Sequence, residues 1–189
     1  MLANHHNPAE NDMDKSREFV TMTFRINRKV IESFRRESEK SGISINALVN
    51  QVLCHYVEWD SFEPKIGMIP FPKAVLGKIF SEMKEDQIAK LGSTVGKDTA
   101  MDMALFMNGH MNVLVFISWI EARMTNSGFE IVHRVESIKG VHTVTIKHDL
   151  GKNWSLYLKI MLESIFADFF KKRTDFIISD SLLSISFTP

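Results

Sequence analysis

The run Val20-Thr21-Met22-Thr23-Phe24-Arg25-Ile26 alternates without a break between apolar and polar residues. A strand sends successive side chains to opposite faces. The pattern therefore predicts a strand with a core face of Val20, Met22, Phe24 and Ile26. Its other face carries Thr21, Thr23 and Arg25, two hydroxyls and a guanidinium. β-branched and aromatic residues suit a strand. A strand's N–H and C=O groups need partners. Yet the next residues, Asn27-Arg28-Lys29-Val30-Ile31-Glu32, open a helix, and no second strand follows nearby. The expected partner is the same strand from a second copy of the chain.

Asn27 is placed to cap the helix that follows. Val30, Ile31, Phe34, Ser38 and Ser41 recur at helical spacing, and Gly42 is the stop. Ser44 caps a second helix whose Ala47, Leu48, Val52, Leu53, Tyr56 and Val57 form one broad apolar face. The stretch from Arg17 to Trp59 is about half the size at which a domain folds comfortably alone. Pairing with a second copy would remedy that shortage and the lone strand together.

Charge is unevenly placed. The chain of 189 residues has a net charge of zero, so it is no polycation. Between Lys15 and Arg36, however, seven basic residues (Lys15, Arg17, Arg25, Arg28, Lys29, Arg35 and Arg36) face only Glu18 and Glu32, a net of +5. A local basic patch on a neutral protein fits a polyanion docking at one end. The plain alternative is a solvated helix face.

Strand, helix, Gly-Ile-Ser turn and helix together resemble the ribbon-helix-helix DNA-binding domains of the Arc, MetJ and CopG superfamily. The residues that carry the resemblance are Thr21 to Ile26, the helix to Ser41, and Gly42-Ile43-Ser44-Ile45-Asn46-Ala47-Leu48-Val49. The small-residue turn is closest to the CopG branch. The resemblance implies two antiparallel strands, one from each copy, entering the DNA major groove as a ribbon. That groove shows a distinct donor and acceptor pattern for each base pair. Thr21, Thr23 and Arg25 are then the base contacts. Arg25 could donate two bonds to guanine O6 and N7. Arg28 and Lys29 are candidate phosphate contacts. The resemblance also implies a phosphate clamp at the start of the second helix, made by the Ile45 and Asn46 N–H groups with the Ser44 hydroxyl.

The rest of the chain reads as a helix-rich α+β domain with a small sheet, and no internal repeat is visible. Three prolines and a glycine between Trp59 and Pro72 break any helix there. This linker is apolar enough to pack. Helices are expected over Lys73–Met83, Lys84–Leu91 (ended by Gly92), Asp98–Asn108, Met111–Ser127 and Lys152–Lys172. Strands are expected over Phe129–Val135 and Val141–His148, with one or two more over Phe176–Phe187. The stretch from Met101 to Ile120 is apolar, but Asp102, Asn108, Gly109, His110 and Asn112 favour a buried core helix over a membrane span.

No catalytic or metal constellation is assembled along the sequence. His142 and His148 share a strand face but lie roughly 20 Å apart along it. His110 and His133 could join them only through the fold. Lys147-His148-Asp149 lacks a placed serine or cysteine, which leaves a triad unsupported. Gly92-Ser93-Thr94-Val95-Gly96-Lys97-Asp98-Thr99 superficially resembles a phosphate loop. Three residues rather than four separate its glycines, and Asp98 separates the lysine from Thr99, so a turn capping the next helix is the better reading. Met101, Met103, Met107 and Met111 with Phe106 and Phe116 either fill a core or line an apolar cavity.

Cys54 is the only cysteine, which excludes an intrachain disulfide and fits a reducing cytoplasm. The N-terminus has no basic start followed by an apolar run, and is expected to be a disordered lead-in rather than a signal peptide. The domains expected are thus a tail over 1–16, a ribbon-helix-helix over 17–60, a linker over 61–72, and an α+β dimerisation or sensor domain over 73–189. The functional expectation is a homodimeric transcriptional regulator that binds double-stranded DNA. It uses no cofactor and no membrane, and its C-terminal domain assembles dimers further or takes a small effector. A second reading is an antitoxin, although neutralising tails tend to be short and disordered until bound. A third is an enzyme or ligand-binding domain that dimerises through the ribbon without reading DNA.

Overall fold

The computed structural model describes residues 20–189, so the tail expected over 1–16 lies outside the described residues. The chain divides into two compact units between Trp59 and Asp60.

The first unit contains α1 (Arg28–Ser41) and α2 (Ile45–His55), followed by a π-helical turn over Tyr56–Asp60. Local hydrogen bonds set these limits. The Asn27 side chain accepts from the Lys29 N–H at 2.9 Å. Gly42 ends α1 in the left-handed region, at φ 67°, where a Cβ would be strained. The Ile43 N–H then returns to the Ser38 carbonyl at 3.0 Å. The Ser44 hydroxyl accepts from the Ala47 N–H at 3.1 Å and starts α2. The expected strand is not formed within one chain. Residues 20–27 carry no regular structure, are exposed throughout, and pair with no strand of the same chain among the described residues.

The second unit is α+β. It contains α3 (Lys73–Glu82), α4 (Glu85–Leu91), α5 (Lys97–Asn108), α6 (Val113–Asn126), β1 (Glu130–Glu136), β2 (Val141–Lys147), α7 (Lys152–Ile165), β3 (Thr174–Ile178) and β4 (Leu182–Phe187). The sheet is antiparallel throughout, in the order β1-β2-β4-β3. Residues 60–72 belong to this unit. Phe62 packs edge-on to Phe106 at 6.1 Å, which explains an apolar composition unusual in a connector.

The core follows the two periodicities. On α7, Leu158, Met161, Leu162 and Ile165 fall at i, i+3, i+4 and i+7, and all are buried. They meet Val144 and Ile146 of β2, Leu183, Ile185 and Phe187 of β4, and Phe116, Ile117 and Ile120 of α6 in one cluster. Burying each such side chain stabilises by about 1.5–3 kcal/mol. The opposite face of the sheet carries a ladder of hydroxyls, Thr143 to Ser186 and Thr145 to Ser184, each at 3.0 Å.

One expectation is corrected here. α4 ends at Leu91 as expected, but Gly92 is no turn: it is right-handed helical at φ −66°, and the chain continues through a π-helical turn over Gly92–Gly96 into α5. The phosphate-loop lookalike is therefore helical. Its glycines serve close packing, since a Cβ on Gly92 would lie 3.1 Å from the Tyr157 carbonyl oxygen and one on Gly96 2.6 Å from the Tyr157 hydroxyl. The apolar stretch from Met101 to Ile120 is shared between the two helices expected there, α5 and α6, with the break at Gly109 (φ 71°). Among the described residues no single helix is long and apolar enough to cross a membrane.

Candidate nucleic-acid interface

The first unit has almost no interior. Among its described residues only Ser38 and Trp59 are buried. The apolar face of α2, expected inside, is open: Val52, Leu53, Tyr56 and Val57 are all exposed. The stripe of α1 is half open, with Ile31 and Phe34 partly covered and Val30 exposed. Between the helices and the N-terminal segment lies a groove of about 300 Å³. Phe24, Ile26, Val30, Ile31, Phe34, Val49, Val52 and Leu53 line it. Arg25, expected on the opposite face, contributes to the lining as well. The strict alternation of a strand is thus not in place in a lone chain.

Around this groove the polar residues singled out by the sequence are accessible. Thr21, Thr23 and Arg25 are exposed on one continuous segment, and Arg28 and Lys29 are exposed in the first turn of α1. Arg25, Arg28, Lys29 and Arg35 form no ion pair among the described residues. Arg36 donates to the Ser33 hydroxyl at 3.1 Å. The first turn of α1 has no acidic residue. Two cations there sit at the positive end of the helix dipole, which favours anions. That placement costs the free helix stability, and a bound anion would relieve it.

At the start of α2 the Ser44 hydroxyl oxygen accepts from the Ala47 N–H, so the cap is made. The N–H groups of Ile45 and Asn46 find no acceptor among the described residues. Ser44 and Asn46 are exposed and Ile45 is half-buried. The two free N–H groups and the Ser44 hydroxyl proton remain available to an anion.

In the second unit, the fold brings together groups that sequence spacing kept apart. His148 Nε2 lies 2.8 Å from the Ser155 hydroxyl, inside the core. This is the serine partner that the sequence did not reveal, and the only hint was its position in the first turn of α7. His133 and His142, on paired strands β1 and β2, place Nε2 and Nδ1 2.9 Å apart. His133 Nδ1 is also 2.7 Å from Glu121 Oε1, a close contact poorly aimed as a hydrogen bond. The His142 ring stacks on Phe187. Burial, and then His133, holds the His142 pKa below the ordinary histidine value. His110 stands apart, with its ring beside the Asn108 carbonyl. Among the described residues no three His, Cys, Asp or Glu side chains are grouped to hold a metal.

Comparison with family models, curated proteins and solved structures gives no match.

Proposed function

We propose that the protein is a homodimeric, sequence-specific DNA-binding regulator of transcription. The residues 20–26 of two copies pair as an antiparallel ribbon, and the face bearing Thr21, Thr23 and Arg25 enters the major groove. One observation carries this reading: the first unit keeps an apolar groove open, with Phe24 and Ile26 at its edge. A second copy supplies matching apolar side chains and the missing strand ladder at once. Arg28, Lys29 and the N-terminus of α2, with Ser44, Ile45 and Asn46, hold the flanking phosphates. The unspent donors and unpaired cations at these positions support that role.

The test has two parts. Light scattering of the purified chain should give a dimer mass at micromolar concentration. A gel shift on fragments selected from random duplexes should then show specific binding that weakens steeply between two salt concentrations, as phosphate contacts require. A dimer that retards no duplex at low salt would favour a ligand-binding protein dimerised through the ribbon. A monomer would remove the ribbon altogether.

A further inference from the structure

The second unit holds a partly open cavity of about 490 Å³, within the size range of small-molecule sites. Its walls are largely apolar and include Met68, Phe71, Met124, Leu158 and Met161. Three polar groups in the lining have unspent donor capacity. Arg123, on α6, has no carboxylate partner among the described residues. Among the described residues its guanidinium makes a long contact to the Met103 sulfur, at 3.8 Å, and lies 5.3 Å from the centre of the Trp119 ring. The Tyr157 hydroxyl, pressed against Gly96, forms no hydrogen bond among the described residues. The buried Trp154 Nε1–H has no acceptor among the described residues.

A desolvated guanidinium without a carboxylate is an unusual thing for a fold to keep. Burial lowers the Arg123 pKa, and Tyr157 is the group that opposes it. Burial in turn pushes the Tyr157 phenol up, so at neutral pH it is a protonated donor. Lys73 is already engaged, donating to the Gly128 carbonyl at 2.7 Å and lying over the Phe129 ring. Glu63 is the one acidic residue among the described residues of the lining, and it is not one of the groups that act on the Arg123 guanidinium. A single available cation with neutral donors beside it matches one negative charge better than two. Apolar walls of this extent match a hydrocarbon or aromatic body.

We propose that this cavity is a binding site for a small monocarboxylate with an apolar body. The carboxylate is held by Arg123 and the Tyr157 hydroxyl, and the apolar part lies against Met124, Leu158 and Met161. The site is built entirely within the second unit and does not rest on the DNA-binding reading.

Calorimetric titration of the full-length protein with octanoate and with 2-naphthoate tests this, against 1-octanol and 2-naphthalenemethanol as uncharged counterparts. Saturable one-to-one binding of at least one carboxylate is expected, with its uncharged counterpart about tenfold weaker or worse. Arg123→Met should bring the carboxylate down to the affinity of the alcohol and leave the alcohol unchanged. Arg123→Lys should restore part of the difference, and Tyr157→Phe should lose less than Arg123→Met. Should Arg123→Met fail to fold, the comparison of acid with alcohol on the unmodified protein still decides. Equal affinity for acid and alcohol overturns the proposal. So does a folded Arg123→Met that binds the acid undiminished, or the absence of saturable binding by both acids at millimolar concentration.

Discussion

The Ser155 hydroxyl receives a hydrogen bond from His148 Nε2 at 2.8 Å and gives its own proton to the Ser179 carbonyl at 2.6 Å. The direction follows from counting protons. Ser155 has one, and it is spent on the carbonyl. His148 Nδ1 accepts from the Leu150 N–H at 3.3 Å, so the ring proton is on Nε2. A nucleophilic serine needs the reverse arrangement, with its proton offered to the histidine. Ser155 is also fully buried. The pair is a structural tie between α7, the end of β2 and the β3–β4 turn.

A pH dependence follows from that tie. Burial holds the His148 pKa below the ordinary histidine value, with Asp149 opposing, and His142 is shifted the same way. For a histidine depressed in the folded state, the unfolded chain binds more protons between the two pKa values, so stability rises with pH. The contribution is complete above about pH 6.5 and is lost as pH falls towards the folded values. Urea midpoints of the second unit should therefore drop between pH 7.5 and 5.5. His148→Gln should flatten that drop in part, leaving the share of His142. A midpoint that held steady or rose on acidification would contradict the assignment.

Phe24 distinguishes a lone chain from a dimer. In a single chain its side chain is 55% exposed, and exposed substitutions usually cost within about 0.5 kcal/mol. If a second copy covers it, Phe24→Glu buries a charge and costs several kcal/mol. The expected outcome is a monomer by light scattering, with the first unit unfolded and the second unit's transition unchanged. A Phe24→Glu protein that remained a dimer would place the interface elsewhere.

Arg25 and Arg28 should separate reading from holding. Arg25→Ala is expected to weaken specific binding roughly tenfold or more, since a bidentate base contact is worth about 1–3 kcal/mol. Non-specific binding should fall much less. Arg28→Ala and Lys29→Ala should weaken specific and scrambled duplexes alike, each lowering the salt slope by about one. Titration of both duplexes with each variant is the measurement. Equal losses on the two duplexes for Arg25→Ala would make it a backbone contact.

Two glycines should respond to alanine for opposite reasons. Gly96 is helical, where alanine normally gains about 1 kcal/mol. Here its Cβ would lie 2.6 Å from the Tyr157 hydroxyl and 2.8 Å from the ring edge, so overpacking of about 1–3 kcal/mol should outweigh the gain. Gly42 has open space, with nothing within 4 Å among the described residues, but sits at φ 67°. Gly42→Ala should cost about 1–2 kcal/mol through the backbone alone. Thermal melts read both, and a stabilised Gly96→Ala would remove the close approach of α7.

What the amino-acid order determined unaided is local. Asn27, Gly42 and Ser44 mark the helix ends because each acts on a backbone group within four residues of itself. The strands β1 and β2 and the helices from Lys73 to Asn126 were legible within two or three residues, because periodicity is a property of the segment, whereas the helix expected to Lys172 leaves α-geometry at Ile165 and ends in a π-helical turn over Phe166–Phe170. Gly92 and Gly96 were misjudged as a turn, since glycine reads the same whether it frees the backbone or makes room for Tyr157, and the two are told apart only by what packs there. The strand order β1-β2-β4-β3, the contact of His148 with Ser155, and the meeting of Arg123, Tyr157 and Trp154 around one cavity join residues far apart in the chain. Tertiary packing decided these, because the cost of removing each polar group from water depends on which distant element covers it.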